Sequence, residues 1–176
     1  MALPGGDGIL AHVLRAACLS LIAALALAAS SAAEDAPWQA GDRLPPFELD
    51  DQHGVPGRVD ESVRLLLFTA DMDAGDVVRA ALEGDAKLRD LAAHGAVWVS
   101  DIHRMPAVVT RLFALPSMRR RPYRMLLDRG PGPTVRIPRE EGKVSVLVLD
   151  ALVVKSVAFV GAPKGIAEAL RGEQDG

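Results

Sequence analysis

The sequence predicts an α/β domain, with a central mixed sheet flanked by helices. Three observations carry this. Two nearly continuous apolar runs of strand length stand at Val63–Thr69 and Ala96–Ser100. Each is followed by a segment whose apolar residues recur at helical spacing. The chain then closes on two valine-rich strands, at 144–150 and 152–160, followed by one more helical stripe. Apolar runs without alternation suit strands buried on both faces of a sheet. Strands alternating with helices imply a mainly parallel sheet covered on both faces, here with a final antiparallel hairpin added at its edge.

The elements follow in order. Leu44-Pro45-Pro46 excludes regular helix. Phe47 and Leu49 alternate with Glu48 and Asp50, which predicts a short strand before the turn Gln52-His53-Gly54. After the run at 63–69, Asp71 or Asp73 can cap a helix whose apolar stripe is Val77, Val78, Ala81 and Leu82. Gly84 breaks it, and Leu88, Leu91 and Ala92 continue on a second piece. Gly95 stands where a helix C′ glycine belongs. Pro106 opens a further helix carrying Val108, Val109, Leu112 and Phe113, and Leu115-Pro116 ends it. Arg124–Asp128 is a short strand, and Arg129-Gly130-Pro131-Gly132-Pro133 is a turn. The last two strands turn around Asp150-Ala151. Pro163 opens the final helix, which buries Ile166, Ala167, Ala169 and Leu170.

The N-terminus reads differently. Ala16–Ala29 is an apolar run of about 14 residues, short of the roughly 20 that span a bilayer. Arg15 precedes it, and Ser31 and Ala33 supply small residues before Glu34 and Asp35. This is the pattern of a secretory signal peptide over residues 1–33, cleaved after Ala33. The alternative is an uncleaved anchor. The expected location is the periplasm or outside the cell, with residues 34–176 as one domain and no stable membrane insertion after cleavage. The one cysteine, Cys18, lies inside this leader. It makes a poor lipidation site, because Arg15 stands where a lipobox wants an aliphatic residue. The mature chain then has no thiol and no disulfide, so packing must hold it together. Its net charge is −3 with or without the leader, since Asp7 and Arg15 cancel. That balance gives no footprint for nucleic acid.

The order of elements and several local strings resemble the redoxin, peroxiredoxin-related branch of the thioredoxin-like superfamily. Gly41-Asp42-Arg43-Leu44-Pro45-Pro46-Phe47-Glu48-Leu49-Asp50-Asp51-Gln52-His53-Gly54 resembles the opening "G-x-x-x-P-x-F-x-L-x-D-x-x-G". The stretch 86–101 resembles the segment ending "G-V-x-V-V-x-V-S". Arg124-Met125-Leu126-Leu127-Asp128 resembles "P-x-L-x-D", with Arg124 in place of the proline. Val144–Asp150 resembles the "F-x-I-D" strand. The resemblance covers 41–171 and extends to the YtfJ-like group of small periplasmic proteins. It implies a thioredoxin-like fold with the redox residue just after the strand at 63–69. That loop here reads Ala70-Asp71-Met72-Asp73-Ala74-Gly75-Asp76. The nucleophile of such chemistry is a thiolate. Neither aspartate nor methionine replaces it, so thiol peroxidase, disulfide reductase and isomerase activities are disfavoured.

Candidate sites are then few. Asp71, Met72, Asp73 and Asp76 form the loop at the old active-site mouth, either a cation or basic-partner site or simply a helix cap with a favourable dipole. Arg119, Arg120, Arg121 and Arg124 form the densest basic cluster, with Arg129 near. They suit an anion or acidic partner, or a solvated loop paired to Glu140 and Glu141. Asp101, His103, His94 and His53 lack metal-ligand spacing. No glycine-rich fingerprint for a dinucleotide or phosphate is present, and no cofactor is expected. Trp38 and Trp98 read as packing residues. The expected role is that of an interaction or ligand-binding module, its partner an envelope protein or small ligand. The alternatives are an oxidoreductase using a bound cofactor or a partner's cysteines, and a carboxylate enzyme using Asp71 and Asp73.

Overall fold

A computed structural model describes residues 36–172; the leader at 1–33 and its cleavage site lie outside them. The fold is organised around β3 (Leu65–Thr69), in which every residue is buried. It has β4 (Ala96–Asp101) parallel on one side, with Leu65 opposite Ala96, and β6 (Val144–Asp150) antiparallel on the other. Beyond β4 runs β5 (Leu126–Asp128), parallel, and beyond β6 runs β7 (Val153–Val160), antiparallel. The five-stranded order is β5-β4-β3-β6-β7. The sheet is thus mixed in equal measure rather than mainly parallel. The final hairpin does not simply extend an edge, because β6 pairs with the central strand.

Alternation along each strand divides the core in two. Leu65, Leu67, Trp98, Leu127, Val144 and Val146 face α1 (Met72–Gly84) and α3 (Pro163–Gly172), meeting Val78, Leu82, Ile166 and Leu170. Leu66, Phe68, Val99, Leu147 and Leu149 face the other way, onto Trp38, Leu44, Phe47, Val59 and Ile137. Helices therefore cover one face. The second is covered by the N-terminal segment, the loop before β6 and a hairpin of β1 (Phe47–Asp50) with β2 (Pro56–Val59). Both tryptophans pack in the interior, Trp98 at 2% exposure and Trp38 at 3%.

The capping residues act as their chemistry dictates. Asp71 is the N-cap of α1, accepting from Ala74 N at 2.8 Å. Gly95 has φ +63° after the turn Ala92–His94 and before β4. Gly54 has φ +83° in the turn between β1 and β2. That turn is built on Asp51, whose Oδ1 accepts from His53 N and Val55 N at 2.8 and 2.9 Å.

Four local expectations are corrected. The sequence reading places no strand at Pro56–Val59, whose proline and glycine are poor strand residues. Strand β2 exists as an edge, where proline is tolerated. A Cβ at Gly57 would stand 2.3 Å from Leu126 Cδ2, so only glycine lets β2 pass over β5. The expected second helix after Gly84 is two short 3₁₀ turns, Ala86–Leu88 and Ala92–His94. Asp85 opens the first by accepting from Lys87 N.

The helix after Pro106, here α2, runs through residues 107–119 instead of ending at Pro116. It comprises an α turn Ala107–Val109, a π turn Thr110–Ala114 and a second α stretch Leu115–Arg119. Leu115 N bonds Thr110 O, five residues back. Such a widened turn accommodates a proline that would otherwise clash with the preceding carbonyls. It also shifts the helix face. Leu115 and Met118 pack on the core, while Val108, Val109, Leu112 and Phe113, the apolar residues expected on this helix, are exposed. The fourth correction concerns the arginines. Glu140 pairs with Lys143, not with the basic cluster.

Candidate functional site

The three parallel strands end side by side, and side chains collect at their C-terminal edge. Open α/β sheets bind ligands outside this edge, because backbone N–H groups and loops converge there. At the end of β3, Thr69 is fully buried and accepts from Trp98 Nε1 at 3.1 Å. Asp71 follows. One of its carboxylate oxygens caps α1 and the other accepts from Gly142 N at 3.0 Å, tying the helix start to the loop before β6. Met72 is 75% exposed. Asp73 is exposed, and Asp76 pairs with Arg79 at 2.7 Å. The carboxylates of this loop thus have separate tasks. Among the described residues no group of three or more His, Cys, Asp or Glu side chains is placed to hold a metal ion.

Strand β4 ends in Asp101, whose side chain is 3% exposed. A buried carboxylate needs hydrogen bonds or an opposite charge. Asp101 has both. Its Oδ2 accepts from Arg139 Nη1 at 2.8 Å, and its Oδ1 accepts from His103 N at 3.1 Å and lies 2.8 Å from His103 Nδ1. A carboxylate only accepts, so Nδ1 carries the proton and Nε2 is left for another partner. Arg139 is held from two further sides. Its Nη2 donates to Thr134 O at 3.0 Å, and its guanidinium lies 5.0 Å over the ring of Phe68 from β3.

Strand β5 ends in Asp128, directly opposite Asp101 in register and 3% exposed. Its Oδ2 accepts from Thr134 Oγ1 at 2.5 Å, and its Oδ1 from Gly130 N at 3.2 Å. These bonds fold the glycine-proline turn back over the strand ends. A Cβ on Gly132 would stand 2.9 Å from Asp128 Oδ1 and press on the carboxylate that holds the turn. Between the turn and β4 lies a cavity of about 310 Å³, lined by His103, Arg104, Pro131, Val135 and Arg139 among others. Arg104 has no hydrogen-bond partner among the described residues.

The basic cluster separates once folded. Arg119 Nε donates to Gln52 O at 2.9 Å, and Arg121 Nη1 to the Tyr123 hydroxyl at 3.2 Å. Arg124 Nε donates to Asp51 Oδ2 at 2.9 Å, and its Nη2 to Val55 O and Pro56 O. Arg120 is exposed at the end of α2. Arg124, standing where the resemblance expects proline, thus binds the β1–β2 turn to β5. Burial pushes Asp51 up, but bonds from Val55, His53 and Arg124 outweigh it and hold its carboxyl below the usual range. Burial raises the Tyr123 phenol, with the Arg121 guanidinium opposing.

The sequence reading considered Asp101 and His103 only as metal ligands. It missed their union with Arg139, which lies 38 positions away from Asp101. The available signal was an aspartate at the end of one expected strand, Asp128, and directly after another, Asp101.

No family model and no curated protein matches the chain. Solved structures do. A solution structure of a putative protein disulfide isomerase from Bacteroides thetaiotaomicron matches 78% of this chain and 89% of its own, at 13% identity and TM-score 0.53. A putative thiol:disulfide interchange protein DsbE from Chlorobium tepidum matches 77% and 94%, at 19% identity and TM-score 0.50. The peroxidoxin BcpB from Mycobacterium tuberculosis matches 76% and 97%, at 23% identity and TM-score 0.49. The first two likenesses join the strand order β5-β4-β3-β6-β7 and the helix opening directly after the central strand: this chain has the thioredoxin-like fold.

Proposed function

We propose that this chain is an exported thioredoxin-like binding module that carries out no thiol redox catalysis. The observation that supports it most is the loop after β3. The loop in which the redoxin resemblance expects a reactive cysteine has none, and its Asp71 has both carboxylate oxygens engaged in structural hydrogen bonds. The only sulfur in that loop is the thioether of Met72, and the only thiol of the chain is Cys18 in the apolar leader. Without a thiolate there is neither a nucleophile for peroxide nor a partner for disulfide exchange. Export is supported by the leader's short apolar run, basic flank and small residues at 31 and 33. The partner is an envelope protein or a small ligand.

The test is native mass spectrometry of the protein purified from the envelope fraction of cells making the full chain. The expected mass is that of residues 34–176 with a non-covalently held molecule or second polypeptide. A mass that still includes residues 1–33 overturns export. A bound flavin overturns the non-catalytic reading.

A further inference from the structure

We propose that the cavity between β4 and the glycine-proline turn is a binding site for a small organic carboxylate, with Arg104 as its charge and His103 Nε2 as its second contact. The proposal deepens the binding-module reading and rests on it.

Four features carry it. First, His103 is preorganised. Its Nδ1 is fixed by Asp101 at 2.8 Å, and its own backbone N–H donates to the same oxygen, so ring and main chain are held together. A histidine oriented by a carboxylate presents its other nitrogen in a fixed place. Its side chain is 33% exposed, open enough to meet a ligand. Second, the negative charge of Asp101 is already matched. The carboxylate is 3% exposed and taken up by Arg139 and His103, so it does not oppose an incoming anion at close range. Third, Arg104 lines the cavity with no partner among the described residues, leaving a guanidinium fork to meet two coplanar oxygens. Fourth, the facing wall carries Pro131, which has no N–H, and Val135, which is 69% exposed. That wall suits an apolar body. The other donors of the lining, Thr134 Oγ1, Gly130 N and Arg139 Nη1, are already given to Asp128 and Asp101, so the further oxygens of a phosphate would find few. A volume of about 310 Å³ fits a small organic acid.

Binding an anion at Nε2 needs that nitrogen to donate, while Nδ1 keeps its proton for Asp101. The charged groups facing the ring are Asp101 from β4, Arg104 beside it and Arg139 from the loop before β6.

The experiment uses the protein as the cell processes it, with benzoate, its neutral amide benzamide and inorganic phosphate as probes. His103 is followed by NMR of the imidazole nitrogens, and affinity is measured by calorimetry. Benzoate should shift His103 saturably. Benzamide and phosphate should not saturate. Arg104→Gln, an exposed substitution that leaves the fold intact, should weaken benzoate about tenfold, the size of one charge-assisted contact. Arg43→Gln, remote and paired to Glu61, should leave it unchanged. The proposal is overturned if benzoate does not saturate His103, if phosphate binds better, or if Arg104→Gln has no effect. Hydroperoxide turnover by the same preparation would defeat the module reading while leaving benzoate binding in place, so the two failures are separable.

Discussion

Asp101→Ala removes the carboxylate that joins β4 to the loop before β6. Three hydrogen bonds are lost: one from Arg139 at 2.8 Å and two from His103, at 2.8 Å to the ring and 3.1 Å to the main chain. Breaking a fully buried ion pair costs about 3–5 kcal/mol, because a charge is stranded. Here the stranded side chains are 27% and 33% exposed, so water reaches them and part of that cost is recovered. Arg139 also keeps Thr134 O and the Phe68 ring. The expected loss is about 2–3 kcal/mol, which for a domain of this size lowers Tm by about 10 °C. The assay is urea unfolding, read by fluorescence of Trp38 and Trp98, both buried. Asp101→Asn keeps an acceptor for His103 but not the charge for Arg139, and should lose about half as much. In a double-mutant cycle Asp101→Ala and Arg139→Ala should fall well short of additive. A cost of Asp101→Ala under about 0.5 kcal/mol, the range of featureless surface changes, would refute the view that this carboxylate holds the strand ends together.

Three further outcomes follow from the same structure. Asp71→Ala should cost about 1–2 kcal/mol by calorimetry, since it removes a helix cap and the tie to Gly142, whereas Asp71→Asn, with one acceptor oxygen, should keep the cap, lose the tie and recover about half of it. Asp51 has a depressed folded-state pKa, so its contribution is present above the ordinary carboxylate value and is lost as pH falls through the folded value; stability should fall less steeply with acid in Asp51→Asn than in the parent chain. Tyr123 is the one tyrosine, and its phenol is raised by burial, so its absorbance change on ionisation should occur above the ordinary phenol value of 10.0 in the folded protein and near it in urea. The phenol's contribution is present below pH 10 and declines as pH rises through the folded value.

Where one stretch of chain decides its own conformation, the sequence was legible. Leu65–Thr69 is apolar throughout and is the buried central strand. Asp71 precedes a helical stripe and caps it. Gly95 takes the left-handed conformation it was expected to take. Where distant partners decide, legibility failed. Strand β2 exists because Gly57 lets it pass Leu126, a contact that no local pattern encodes. The stripe Val108, Val109, Leu112 and Phe113 has helical spacing, yet the π turn and the short β5 leave only Leu115 and Met118 against the core. The arginines at 119–124 are neighbours in sequence and serve different anchors in space. The cluster of Asp101, His103 and Arg139 was hidden for the converse reason. Its members are ordinary alone and meet only once the glycine-proline turn, fixed by Asp128 and Thr134, folds back over the strands.

The central claim is a thioredoxin-like fold without thiol chemistry, and turnover tests it most directly. The purified exported chain is assayed for hydroperoxide consumption with a dithiol reductant, and for insulin disulfide reduction, beside an equal amount of heat-unfolded chain. The account predicts that both rates equal the uncatalysed background. Catalytic turnover that disappears on unfolding, with Cys18 absent from the preparation by mass, would contradict it.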